Sequence, residues 1–409
     1  MVSKDEENRK NLDPGLERCF IRKQEILKRL SDVPGTIRSV RMYLKNIEAK
    51  KRFSNATWTN RQDIIAAVTS DRGVGFAECI ASVNCPEIDL EKFASPCKKL
   101  IGNPLGKALL ILRQHQDSWR APLIEMMEMA LLDLAGKTEG IPANYLLGLD
   151  RLWPVSGVHV ILSDQPEEVL ESTRRAKKNG KTAFIKVKLF GDEKTDLDVI
   201  RTVRKQCPSD ETFLIGDVNC GYRPHGSDIP EEAALPEIAA HMKVLYEAGL
   251  DACEDPADLS VDGWMNLKRQ TGALKLIPDE PLRCSRKSIF SIREGMGDVC
   301  NIHPDSAGSI IDAVVLAERI RQLGAKIMIG DDSLAGPSAS IWQQAASGLH
   351  AEWVEATEKE TESDFYYRCV RHLATDSSTN PIQIHLQPGF GLDLDEDQLN
   401  KECTRSVSF

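Results

Sequence analysis

The 409-residue chain predicts an α/β protein, a (β/α)8-type TIM barrel with an α+β capping domain formed by N-terminal and C-terminal segments. Three observations predict it. From Trp153 to Ala356, short apolar runs alternate with helical stretches, the rhythm of parallel strands joined by crossover helices. Four of these runs end in an acid, at Asp217, Glu254, Asp279 and Glu355, and a fifth ends in Lys186-Val187-Lys188. In a barrel the C-terminal strand ends meet at one face, where active sites sit, so these scattered charges converge on one pocket. Before Trp153 the rhythm differs, with alternating strands followed by two helices.

Taken in order, residues 1–34 are a polar, lysine- and glutamate-rich extension closing at Pro34-Gly35, read as a mobile tail although a thin helix from Gly15 to Leu30 fits. The capping domain is expected over 35–150. Ile37–Leu44, Asp63–Thr69 and Val74–Glu78 predict antiparallel strands, and Leu109–His115 and Leu123–Ala135 predict helices. The barrel is expected over 151–375, with strands at Val155–Ile161, Phe184–Lys188, Phe213–Asp217, Ala252–Glu254, Leu274–Asp279, Val299–His303, Lys326–Gly330 and Trp353–Glu355. An open doubly wound sheet would need a glycine-rich phosphate loop after its first strand, and none is present. Residues 376–409 return to the cap through a strand at Ile382–Leu386 and a turn at Pro388–Gly391, bringing both chain ends over the barrel mouth.

Composition narrows the function classes. A net charge of −10 argues against a broad cationic surface for nucleic acid. No apolar run approaches the ~18 residues of a membrane span. The polar start Met1–Glu7 lacks the apolar centre of a signal peptide, so a cytoplasmic protein is expected. Eleven cysteines, an odd number without a Cys-x-x-Cys pair, read as reduced thiols.

Asp217, Glu254 and Asp279 end the third, fourth and fifth barrel strands. A lone acid at such a place is usually salt-bridged or capping; three converging in a poorly solvated cleft repel one another unless a cation sits between them. Oxygen-only donors point to Mg2+ rather than Zn2+. Glu280 is the alternative third ligand. Lys186 and Lys188, at i and i+2, point to the same side of the second strand. Two adjacent ammonium groups each favour the neutral form of the other, which suits one of them to accept a proton.

These motifs, Lys186-Val187-Lys188, Gly216-Asp217-Val218-Asn219, Cys253-Glu254-Asp255-Pro256 and Pro278-Asp279-Glu280, resemble the enolase superfamily in its mandelate racemase/muconate lactonizing branch. Met129–Lys137, Pro142, Leu146-Leu147-Gly148 and Pro388–Leu392 are similar to the family's junctions, so the likeness runs from about Thr36 to Asp397. The resemblance implies that Mg2+ binds a substrate carboxylate and that Lys188 removes its α-proton to give an enediolate, with Lys186 neutralising charge. It also implies that Glu355 hydrogen-bonds the carboxylate. Asn219 and the cap-loop residues Arg52, Phe53 and Trp58 become substrate contacts. On the sixth strand this chain departs, with His303 where the lactonizing type has a lysine. By the same alignment Asp331, or Asp332 one residue on, orients His303 as acid or base. The leading expectation is a Mg2+-dependent dehydratase of a hydroxylated small carboxylic acid such as a sugar acid or a hydroxyproline-like compound; a racemase or epimerase is the alternative, and a non-catalytic metal-binding relative a third. No nucleic-acid or membrane partner is expected, and family members commonly form homo-oligomers.

Overall fold

Apolar and polar residues alternate from Ile37 onward, and the chain there runs as three long antiparallel strands, β1 (Ile37–Arg52), β2 (Thr57–Ser70) and β3 (Val74–Val83). The computed structural model describes residues 13–54, 56–85, 88–357, 359 and 361–409. One face of this sheet packs on the helix Ala121–Glu139, which is buried along most of its length. The β1–β2 hairpin is longer than the sequence predicts, and that extra length carries its tip over the barrel. There Ser54 Oγ donates to the Val218 carbonyl at 2.5 Å and the Asn219 carbonyl at 3.2 Å.

The barrel strands are β4 (Ser156–Gly157), β5 (His159–Ile161), β6 (Phe184–Lys188), β7 (Phe213–Asp217), β8 (Ala252–Glu254), β9 (Lys275–Ile277), β10 (Val299–Ile302), β11 (Lys326–Ile329) and β12 (Trp353–Val354). They form two parallel sheets, β5 to β9 and β10-β11-β12-β4. β4 and β5 are one strand interrupted at Val158, which pairs with the last strand on one side and the second on the other. Across the other seam Asp298 N donates to the Leu276 carbonyl at 2.9 Å and Asn301 N to the Pro278 carbonyl at 3.1 Å. Eight strand positions thus close into a ring.

Period-2 alternation sorts each strand. Ile185, Val187, Leu214 and Cys253 face the surrounding helices, whereas Ile215, Ala252, Ile277, Val299 and Met328 fill the interior. Phe184, Phe213 and Trp353 stack into an aromatic floor with centroids 5.2–5.9 Å apart. Above this apolar floor the polar strand ends line the mouth together with Val158, Val160 and Leu162.

Two expectations are corrected. Residues 14–31, read as a tail, form a helix, Pro14–Ser31, capped by the Asp13 side chain and laid on the barrel helix Ile310–Gln322. Its apolar stripe is thin, Cys19, Ile26 and Leu30, because its charges pair with protein rather than water: Lys23 with Asp312 at 2.6 Å and Asp13 with Arg319 at 2.9 Å. The return to the cap is made not by Ile382–Leu386 but by the strand Arg405–Ser408, which pairs antiparallel with β1. The strand Gln383–Ile384 pairs instead with Thr375–Asp376, and Ile382 N reaches the Val155 carbonyl, at the barrel end opposite the mouth. The turn at Pro388–Gly391 docks on the helix of the cap: a Cβ on Gly136 would come within 2.7 Å of Gly389 Cα, so both glycines are needed for that approach. All eleven cysteines are free, and no described helix is long and apolar enough to cross a membrane.

Candidate active site

The inward residues at the C-terminal ends of the strands line a cavity of about 410 Å³ roofed by the cap hairpin. Register places them side by side: Lys188 is opposite Asp217 on β7, and Asp217 opposite Glu254 on β8. Lys186, almost fully buried, sits at the centre. Its Nζ lies 2.7 Å from Glu254 Oε2, 2.9 Å from Glu355 and 3.1 Å from Asp217 Oδ2. Burial alone would favour the neutral amine, but these three carboxylates outweigh it and hold Lys186 well above the ordinary lysine range. Lys188 Nζ bonds Asp217 Oδ2, donates to Asn219 Oδ1 at 3.0 Å, and stands 4.9 Å from the centre of the Phe53 ring.

The carboxylates differ in their surroundings. Burial pushes Asp217 up, yet Lys186 and Lys188 together bring it below the usual carboxylate range. Burial raises Glu254 and Glu355, with Lys186 opposing the shift at both. At Asp279 the effect of burial is overcome by His303 and Arg283, and its pKa is lowered. Arg283 Nη2 donates to Asp279 Oδ2 at 2.8 Å, while Asp279 Oδ1 is buried with no hydrogen-bond partner.

The donor set therefore suits a hard divalent cation: three carboxylates from neighbouring strands, no sulfur or imidazole among them, and one orphaned oxygen. Among the described residues, however, no three His, Cys, Asp or Glu side chains close to metal-ligand spacing. Lys186 and Arg283 are cations beside these carboxylates. Glu280, the alternative ligand, is half-exposed and pairs with Arg283 Nε at 3.3 Å.

On the far wall His303 follows β10. Its Nδ1 is 3.0 Å from the Pro304 carbonyl, which can only accept, so Nδ1 carries the hydrogen and Nε2 faces the cavity side. The acid beside Nε2 is Asp332, at 3.6 Å. Asp331 is turned away to Lys359 Nζ at 2.6 Å and accepts from Leu334 N at 2.9 Å. Of the two aspartates left open by the sequence, Asp332 is the neighbour of His303.

Phe53 and Trp58 line the cavity, their rings 5.0 Å apart, and so does Asn219. Arg52 does not: it is exposed, paired with Asp164 at 2.6 Å and resting over Phe190. The inward residue is Lys51. Ile47, Ala49 and Lys51 are buried on β1 while Glu48, Lys50 and Arg52 are exposed, so strand parity was the signal that separates Lys51 from Arg52. The same parity identifies Asn301, two residues before His303, whose Nδ2 donates to Glu254 Oε1 at 3.0 Å. Asp255 was also missed as a positioning residue. At φ 39° its two oxygens accept from the backbone of Asp279 and Glu280 at 3.0 Å each, fixing the turn that presents Asp279.

The family described as Enolase C-terminal domain-like matches residues 168–398. The chain is 24% identical over 204 residues to the L-Ala-D/L-Glu epimerase of Escherichia coli (strain K12), a match covering 50% of this chain and 57% of that protein. It is 26% identical over 233 residues to the hydrophobic dipeptide epimerase of Roseobacter litoralis, covering 56% and 62%. The chain thus spans less than two thirds of the length of either relative. A dipeptide epimerase from Cytophaga hutchinsonii, solved with Mg and the dipeptide D-Ala-L-Val, shares the fold at a TM-score of 0.69 and 18% identity, over 91% of this chain and 99% of that one.

Proposed function

The chain belongs to the enolase C-terminal domain-like family, of the mandelate racemase/muconate lactonizing type, and on that premise we propose that it inverts a carbon next to a carboxylate by 1,1-proton transfer. One observation carries this reading. Lys188 stands on the second strand and His303 after the sixth, so in a ring of eight they face each other across the mouth. A proton removed on one face can be returned on the other.

Lys186, held cationic by its carboxylates, places fixed positive charge beneath the substrate carboxylate, and Lys188 removes the α-proton. His303 protonates the opposite face from Nε2, with Asp332 beside it to stabilise the imidazolium. Asp217, Glu254 and Asp279 would hold Mg2+, which when bound supplies electrostatic stabilisation of charge developing on the carboxylate. The apolar floor lies below the reacting end and the Phe53–Trp58 pair roofs it.

The epimerase relatives favour this over the dehydration expected from the sequence. Dehydration stays as the second reading because an imidazole with a neighbouring acid can also protonate a leaving hydroxyl. The test is to incubate α-substituted carboxylates, dipeptides and hydroxy acids among them, with the protein and MgCl2 in D2O. Deuterium entering the α-position with loss of optical purity supports the proposal. A 2-keto product without recovered, inverted substrate would replace it with dehydration.

A further inference from the structure

β3 ends the cap sheet, so its edge away from β2 has no strand beside it among the described residues. Three alternate N–H groups on that edge are met by side chains instead. Phe76 N donates to Asp133 Oδ2 at 2.9 Å, Glu78 N to Ser338 Oγ at 2.7 Å and Ile80 N to Asp305 Oδ2 at 2.8 Å. Asp133 belongs to the cap's own helix Ala121–Glu139, but the other two belong to the barrel. Asp305 lies two residues past His303, in the loop after β10. Ser338 lies in the first turn of the helix Pro337–Gly348, directly after the loop that carries Asp332.

Each loop is fastened a second time, by a fully buried cap carboxylate. Ala335 N and Gly336 N donate to Glu78 Oε1 at 2.5 and 2.9 Å, and Gly336 N and Ser338 N to Glu78 Oε2 at 2.8 and 3.2 Å. Glu125 accepts from Asp305 N at 2.9 Å and from Gly308 N at 2.8 Å. These bonds hold turns that local sequence does not favour. Asp305 and Ser333 both have left-handed backbone, which residues other than glycine keep where the surrounding structure over-determines it.

His303 and Asp332 stand on different loops, beyond Ile302 and Ile329, the last paired residues of β10 and β11. The ladder therefore does not set the 3.6 Å between His303 Nε2 and Asp332 Oδ1. The loops meet at Ser306, whose Oγ is 3.5 Å from both His303 Nδ1 and Asp332 Oδ2.

We propose that Glu78 and Asp305 are positioning residues for the His303–Asp332 pair: the free edge of β3 sets the distance between the two loops, and with it the aim of the group that returns the proton. This rests on the reading of His303 as that group. The same cap sheet carries Trp58 on β2, so one rigid sheet places the roof over the substrate and the imidazole beside it.

The experiment has a readout that needs no turnover. The full chain with 15N-labelled histidine and MgCl2 is followed by NMR, the His303 signal being assigned by its loss in His303→Asn. Glu78→Gln turns an amide donor toward backbone donors without changing side-chain size. It should move the His303 signal and leave the other histidines in place. Asp305→Ala should move it too, whereas Asp305→Asn, which keeps an acceptor for Ile80 N, should restore most of the parental signal. With the α-substituted carboxylate that exchanges fastest in D2O, Glu78→Gln should lower inversion about 10- to 100-fold while exchange on the Lys188 face stays within about threefold. If Glu78→Gln does not fold, the Asp305→Ala and Asp305→Asn pair carries the same comparison. A parental His303 signal in folded Glu78→Gln or Asp305→Ala, or an equal fall of inversion and exchange, overturns the proposal. A displaced His303 signal together with full inversion by His303→Asn would leave the positioning role standing and refute His303 as the group that returns the proton.

Discussion

The second to fourth barrel strands and the sixth to eighth carry comparable numbers of charged groups, but they present them differently. Lys186, Lys188, Asp217 and Glu254 lie within the hydrogen-bonded ladder, each paired by register with a neighbour. His303, Asp331, Asp332 and Glu355 lie beyond the last ladder residues, Ile302, Ile329 and Val354. In the first half the pleat decides which way a side chain points. In the second half short loops decide, with Asp305 and Ser333 at φ 62° and 71°. Ladder residues hold a fixed charge array; loop residues can take on variable chemistry at the same mouth.

Four experiments break or sharpen this contrast. The largest effect is expected at the ladder: Lys188→Ala should lower α-proton exchange by at least about 10³-fold, as expected for loss of a general base. Deuterium incorporation followed by NMR measures it, and near-parental exchange would remove Lys188 from the reaction. On the opposite wall, His303→Asn should lower inversion by about 10²- to 10⁴-fold while exchange from the enantiomer facing Lys188 persists. Continued exchange from both enantiomers would reduce His303 to packing.

The loop after β11 gives a smaller, more discriminating test. Asp332→Asn should lower kcat about tenfold through the His303 imidazolium, whereas Asp331→Asn, acting through Lys359, should alter KM. The reverse split would restore Asp331 as the partner of His303. The smallest effect is in pH. Burial first and Arg61 second lower the Lys51 pKa to about 8, with Glu362 and Asp331 opposing and Lys359 adding to the shift. Lys51 is therefore charged below about pH 8 and loses its proton above it, so KM should change between about pH 7 and 9.5 in the parent protein and less in Lys51→Met. The same pH dependence of KM in both would show that Lys51 does not touch the substrate.

The same contrast explains what could be read before any coordinates. β6, β7 and β8 end where the sequence predicts, because apolar residues at period 2 specify both strand and face. The choice of Asp332 over Asp331 could not be read, because a bend after a strand end obeys no period. Nor could the docking of the helix Pro14–Ser31: the residues that make it look like a tail, Lys23 and Arg22, are the ones that pair with Asp312 and Glu318 on the barrel. Arg52 was chosen over Lys51 for want of a parity argument that β1 in fact supplies.

By itself the chain determined the alternation of strands and helices, the acids at three successive strand ends and the paired lysines, since local periodicity and turn chemistry act over a few residues. Tertiary structure decided which charges meet: Lys186 among three carboxylates, Asp279 shared with Arg283, and Lys51 with Arg61 on one Glu362. Those encounters join residues up to 311 positions apart, and their energies depend on burial and distance, neither of which a linear pattern encodes.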